Sequence, residues 1–300
     1  MSYNTSGTLA PTPPFDFDKS LHFINRFGPM AGEQAMSGRA LTKAVFVGGQ
    51  VIVFQVEPAG SAEQSWLAYT LQAERAIDSA TQRAAEDRIA FFLSICDDLA
   101  PFYALAEDDP VFAPIARRLY GYHQIKFLTP FECAAWAVLT QRNAMPIARN
   151  LKRALVERYG ASLEVAARSY SAFPEAWMLA QADPGALYDL MPNLRRAEYL
   201  QAVAIAFSGV DEQWLRAAAY AEVAGWLRGI KGIGDWSASF ILLRGLGRTE
   251  QLPSAEAKLS AAASKLYGQG RKLGDESIRE IASRYGARQG YWAHYLRVTS

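Results

Sequence analysis

The chain is poor in the residues that build metal clusters. It has two cysteines, Cys96 and Cys133, too few and too far apart for a zinc site or a metal–sulfur cluster. Its three histidines, His22, His123 and His294, are scattered without metal-ligand spacing and read as structural residues near aromatics. No run of 18 apolar residues exists, so no membrane span is expected. Residues 1–14 lack a charged-then-apolar signal pattern and read as a flexible tail, which places the chain inside the cell. Strand signals are missing after Pro110, and the chain has neither an internal repeat nor a low-complexity segment there.

What is present can bury a large core. Half of the 300 residues are apolar, and that length suggests two domains. The net charge of +1 hides an asymmetry: residues 1–110 hold seven Lys+Arg against fourteen Asp+Glu, leaving the remainder basic. A basic C-terminal two-thirds is either a nucleic-acid face or ordinary solvated helix surface. Alternation over 41–47, Gly48-Gly49, and a return over 51–56 predict a β-hairpin, with a third strand over 66–71. Residues 81–96 switch to helical spacing. The reading is an α+β unit over 15–110 and an all-α body in two lobes over 111–300. In that body Thr129-Pro130-Phe131-Glu132 predicts a capping box opening a helix that ends at Thr140-Gln141.

The richest stretch is Ile230-Lys231-Gly232-Ile233-Gly234-Asp235-Trp236-Ser237-Ala238, between two amphipathic runs. Two glycines around one isoleucine predict a tight turn whose backbone a ligand can approach, followed by the positive end of a helix dipole. Together these suit one backbone phosphate; a plain glycine turn is the competing reading. Leu252-Pro253-Ser254-Ala255-Glu256 follows about twenty residues on.

In this order, these motifs resemble the helix-hairpin-helix (HhH-GPD) superfamily of DNA glycosylases, and most of all its AlkA-type 3-methyladenine DNA glycosylases II. The likeness runs from about Phe15 to the C-terminus, with the hairpin at about 213–246. It implies a monomeric, monofunctional N-glycosylase that flips alkylated bases out of double-stranded DNA and excises them in base-excision repair. No cofactor is required, although a monovalent cation at the hairpin is implied, and a bacterial member would be cytoplasmic and nucleoid-associated. Glu256 falls where the family has its catalytic Asp, one methylene longer. Trp236 stands where bifunctional members carry the Schiff-base Lys. Trp236, Phe240, Phe23 and Arg297 fall at base-pocket positions, Arg297 replacing an aromatic. Lys231, Gly232, Ile233, Gly234 and Ser237 would hold DNA at the hairpin. Gln141, Arg142 and Asn143 fall at the loop that fills the gap left by the flipped base. The alternative is a non-catalytic damage-sensing DNA-binding protein of the same fold, which the Asp-to-Glu change favours.

Overall fold

A computed structural model describes residues 3–60, 65–191, 193–253 and 257–299. Strands β1 (Tyr3–Leu9), β2 (Ala35–Ser37), β3 (Ala40–Val47), β4 (Gln50–Gly60) and β5 (Ser65–Ala73) form one antiparallel sheet in the order β1-β5-β4-β3-β2. Gly48 and Gly49 take φ of 59° and 72°, the left-handed pair that a two-residue turn between twisted strands requires. Alternation along β4 sends Ile52, Phe54 and Val56 into the main core and Val51 and Val53 to the other face.

The structure differs from the sequence reading in two places. Residues 3–9, expected in a flexible tail, are the edge strand β1, with Tyr3 opposite Ala73 and Leu9 opposite Leu67. Their polar composition concealed this, because an edge strand needs no apolar face of its own. The body expected to be all-α also contains a hairpin, β6 (Ala161–Val165) and β7 (Arg168–Ala172). Leu163, Tyr170 and Ala172 pack on Ala44, Val51 and Val53 and cover the outer face of the sheet.

The rest is helical. α1 (Phe17–Arg26) precedes β2, and α2 (Ser79–Leu93), α3 (Ala100–Glu107) and α4 (Ala113–Arg118) follow β5. Then come α5 (Pro130–Leu139), α6 (Met145–Tyr159), α7 (Ala176–Ala180), α8 (Pro184–Leu190), α9 (Leu194–Ser208), α10 (Glu212–Ala217), α11 (Tyr220–Gly229), α12 (Asp235–Phe240), α13 (Ala257–Tyr267), α14 (Asp275–Ser283) and α15 (Gln289–Thr299).

All ten residues of α5 are buried, which makes it the central helix. The Thr129 hydroxyl accepts the Glu132 N–H at 3.0 Å, as a capping box requires. The second half of that box is absent, because the Glu132 carboxylate is drawn inward to Lys152 Nζ at 2.6 Å. One apolar cluster runs from Phe15 to Leu296, so no packing boundary falls at residue 110. Phe23 of α1 already stands edge-on to His294 of α15, with ring centroids 5.5 Å apart.

Candidate active site and nucleic-acid interface

The turn between α11 and α12 is tight for two different reasons. Gly232 takes φ of +95°, and a Cβ there would lie 2.4 Å from the Tyr199 ring of α9. Gly234 is instead extended, at φ −93° and ψ −177°. It caps α12, and a Cβ on it would meet nothing within 4 Å. The first glycine therefore allows helix packing, and the second keeps the outer side of the turn open to a ligand. Ile233 is buried and its N–H donates to the Ile230 carbonyl at 3.0 Å, which locks the loop. The first bond back along α12 is from the Ala238 N–H to the Gly234 carbonyl, 2.9 Å. The N–H groups before it in the first turn cannot bond back along the helix, as at any helix start.

The hairpin side chains divide. Lys231 is exposed and paired with Glu198 at 2.8 Å. Ser237, expected to face DNA, is only 4% exposed and packs inward. Gln141 is half-buried: its Nε2 donates to the Gly232 carbonyl at 2.7 Å and ties the end of α5 to the hairpin. Arg196 donates in turn to the Gln141 carbonyl at 2.9 Å. Asn143 Nδ2 donates to the Leu139 carbonyl at 2.8 Å, satisfying an end carbonyl of α5. Arg142 alone of the three is exposed, at φ +54°, a backbone state that few non-glycine residues adopt.

Beyond Phe240 the helix widens into a π-turn over Ile241–Gly245, closed by the Leu246 N–H donating to the Ile241 carbonyl at 2.9 Å. Close packing on α5 requires Gly245, since a Cβ would lie 2.9 Å from Cys133 Cβ. The π-turn delivers Arg244 to the floor of a cavity of about 280 Å³ between α1, α12, α13 and α15. Phe23, Phe27 and Phe240 give it aromatic walls, and Arg26, Lys258 and Arg297 add cations.

Phe23, Phe240 and Arg297 thus meet as the sequence implied. Trp236 is 42% exposed and does not line the cavity; it stacks on Phe240 at 5.3 Å between centroids and 11° between planes. Glu256 lies outside the described residues, two positions before Lys258 of the cavity wall.

Arg244 and His294 were missed. The Arg244 guanidinium is 3% exposed, with its centre 5.0 Å from the Phe23 ring centroid and 4.6 Å from that of Phe27. Burial and the neighbouring Arg297 lower its pKa to about 10, against the opposing pull of Tyr122, and it remains charged at neutral pH. Its Nη1 donates to His294 Nδ1 at 3.2 Å. His294 Nε2 then carries the proton and donates to the Tyr122 hydroxyl oxygen, 3.0 Å away. Burial, with Arg244 and Arg297 alongside, pushes the His294 pKa well down, so the imidazole is neutral. The clue to Arg244 was a lone charge closing the apolar run 240–243; the clue to His294 lay only in the fold.

No family model matches the chain. It is 26% identical over 284 residues, 94% of this chain and 93% of the relative, to a DNA-3-methyladenine glycosylase of Bacillus subtilis. Among solved structures it is similar to a 3-methyladenine DNA glycosylase from Archaeoglobus fulgidus (TM-score 0.79, 21% identity, 97% of each chain). It is also similar to an 8-oxoguanine glycosylase/lyase from Clostridium acetobutylicum in complex with double-stranded DNA (TM-score 0.70, 15% identity, 100% of this chain and 97% of the other). These likenesses show that the chain has the fold of the helix-hairpin-helix DNA glycosylases and is similar along nearly its whole length to a DNA-3-methyladenine glycosylase.

Proposed function

We propose that the protein is a monofunctional DNA N-glycosylase that flips alkylated bases out of the duplex and hydrolyses their glycosidic bonds in base-excision repair. One observation carries this reading. A single helical stretch, 235–245, begins at the open turn suited to a phosphate and ends at the floor of an aromatic cavity. At roughly 1.5 Å per residue, that stretch spans about 15 Å, enough to hold a nucleotide's backbone at one end and its extruded base at the other. Trp236 stacked on Phe240 leaves no amine at the family's Schiff-base position.

Glu256 would be the carboxylate that stabilises the sugar cation or orients water. Arg142 would fill the gap in the duplex. DNA is held as a monomer would hold it, by backbone contacts at Gly232–Gly234. A monovalent cation at the hairpin belongs to the same proposal. Among the described residues the Ile230 carbonyl accepts from the Ile233 N–H and the Gly232 carbonyl from Gln141 Nε2, and a carbonyl oxygen with one such bond has a second lone pair for such an ion. The bound ion would screen phosphate charge.

The test is gel analysis of base release from duplexes carrying a panel of lesions, with borohydride trapping on abasic DNA in parallel. Base release without a trapped covalent band is the expected result. Tight lesion binding with no release on any duplex would favour damage sensing. A trapped band lost in Lys258→Ala would place lyase chemistry in the cavity.

A further inference from the structure

A second cavity, of about 320 Å³, lies where β3, α6 and β7 meet, and it shares no lining residue with the base cavity. Strand β2 pairs only with residues 40–42 of β3, and Lys43 and Ala44, just beyond that pairing, line the space. The charges at its floor cancel, with Lys43 and Lys152 set against Glu33 and Glu132. Those at its rim do not. Arg149 and Arg153 of α6 and Arg168 of β7 stand against one acid, Glu157, which leaves an excess of two positive charges. The Lys43 side chain is 3% exposed, yet its ammonium makes one hydrogen bond, to Glu33 at 2.7 Å. Two of its three protons therefore have no acceptor among the described residues, a costly state for a buried cation. Arg149 has no hydrogen bond or ion pair among the described residues, and Arg168 gives one N–H to the Gln34 carbonyl at 3.2 Å and meets no carboxylate.

We propose that this second cavity binds a small phosphate monoester, its phosphoryl group held by Arg149 and Arg168 above Lys43. A monoester carries close to two negative charges at neutral pH, which matches the excess at the rim. Guanidinium forks fit phosphate oxygens bidentately, and the two arginines enter from different walls, α6 and β7. Lys43 supplies further donors from the floor, so a phosphoryl oxygen satisfies the protons that the protein leaves unpaired. Tyr170 and Phe173 offer apolar surface to the organic part of the ligand. The volume is at the small end of ligand pockets and suits a metabolite of few atoms. The site is independent of the glycosylase reading above.

The test is isothermal titration calorimetry on the full chain at low ionic strength, with phenyl phosphate as the probe and malonate as a dianion without a phosphoryl group. Each is titrated into wild type, Arg149→Gln and Arg168→Gln, and into wild type saturated with an abasic-analogue duplex. Both arginines are exposed, so both variants should fold. Saturable binding of one phenyl phosphate per chain is expected, tighter than malonate. Either substitution should weaken it about tenfold, the loss of a charge-assisted hydrogen bond. Binding should persist with the duplex in place, because the duplex occupies the hairpin and leaves this cavity free. No saturable binding, malonate binding as tightly, or affinity unmoved in both variants overturns the proposal. Displacement by the duplex, with Arg149→Gln weakening duplex binding as well, also overturns it and makes this rim a contact for DNA phosphates.

Discussion

Glycines 232 and 234 look equivalent in sequence and do different work. Gly232→Ala would drive a Cβ into the Tyr199 ring at a left-handed φ, so it should lower stability by about 1–3 kcal/mol in urea denaturation. Gly234→Ala meets open space at an extended φ and should fold like wild type. Its expected effect is weaker binding to a non-hydrolysable abasic duplex, measured by fluorescence anisotropy; unchanged affinity would remove the phosphate role. Glu256 is tested by chemistry. Its charge is needed only as the sugar cation develops, so Glu256→Gln should slow single-turnover base release by about 10²-fold or more and spare DNA binding. Glu256→Asp restores the family residue and should keep or raise the rate. Wild-type rates in Glu256→Gln would reduce Glu256 to a residue near the start of α13.

At the scale of elements, the loop between α5 and α6 couples core to surface. Gln141 faces inward to the Gly232 carbonyl while its neighbour Arg142 faces out. Replacing each should therefore give opposite signatures. Arg142→Ala should keep overall DNA affinity and its salt slope but lose the preference for an abasic site over intact duplex. If affinity instead falls equally on both duplexes and the salt slope drops by about one, Arg142 is a phosphate contact. Gln141→Leu strands the Gly232 carbonyl and should lower stability by about 1–3 kcal/mol in thermal denaturation.

Across the whole molecule, a buried charge network joins sheet, α5 and α6. Lys152 is paired with Glu132 at 2.6 Å and with Glu33, and Lys43 of β3 reaches Glu33 at 2.7 Å. Burial pushes the Glu33 carboxyl up, but Lys152 and Lys43 outweigh it and hold the pKa at about 2. A carboxyl depressed from 4.5 to about 2 contributes stability above the unfolded value, lost as pH falls through that window. The stability difference between wild type and Glu33→Gln should therefore shrink between about pH 4.5 and 2 in urea titrations. A difference flat across that range would show that the pairs are not coupled to folding. Removing Lys152 alone, as Lys152→Met, strands Glu132 in the core and should cost roughly 3–5 kcal/mol.

Local chemistry was legible in the sequence. The Gly48-Gly49 turn, the alternation of β3 and β4, the Thr129 cap, the hairpin and most helices of the body follow from glycine conformation and apolar periodicity, which act over a few residues. The family resemblance predicted Phe23, Phe240 and Arg297 as neighbours, and they line one cavity. Tertiary structure decided the rest. The β6–β7 turn uses Ala166 and Ala167 at φ of 48° and 61°, a strained choice with no Asn-Gly signal, tolerated where Leu163 and Tyr170 gain burial on the sheet. β1 is a strand because β5 offers it an edge. Gln141 and Ser237 face inward, and Glu132 leaves its cap for Lys152, because the core supplies partners that no local spacing announces. The cationic floor of the cavity arises the same way. Arg244 and His294 are fifty positions apart, and only the packing of α12 and its π-turn against α15 brings their charge and hydrogen bonding together.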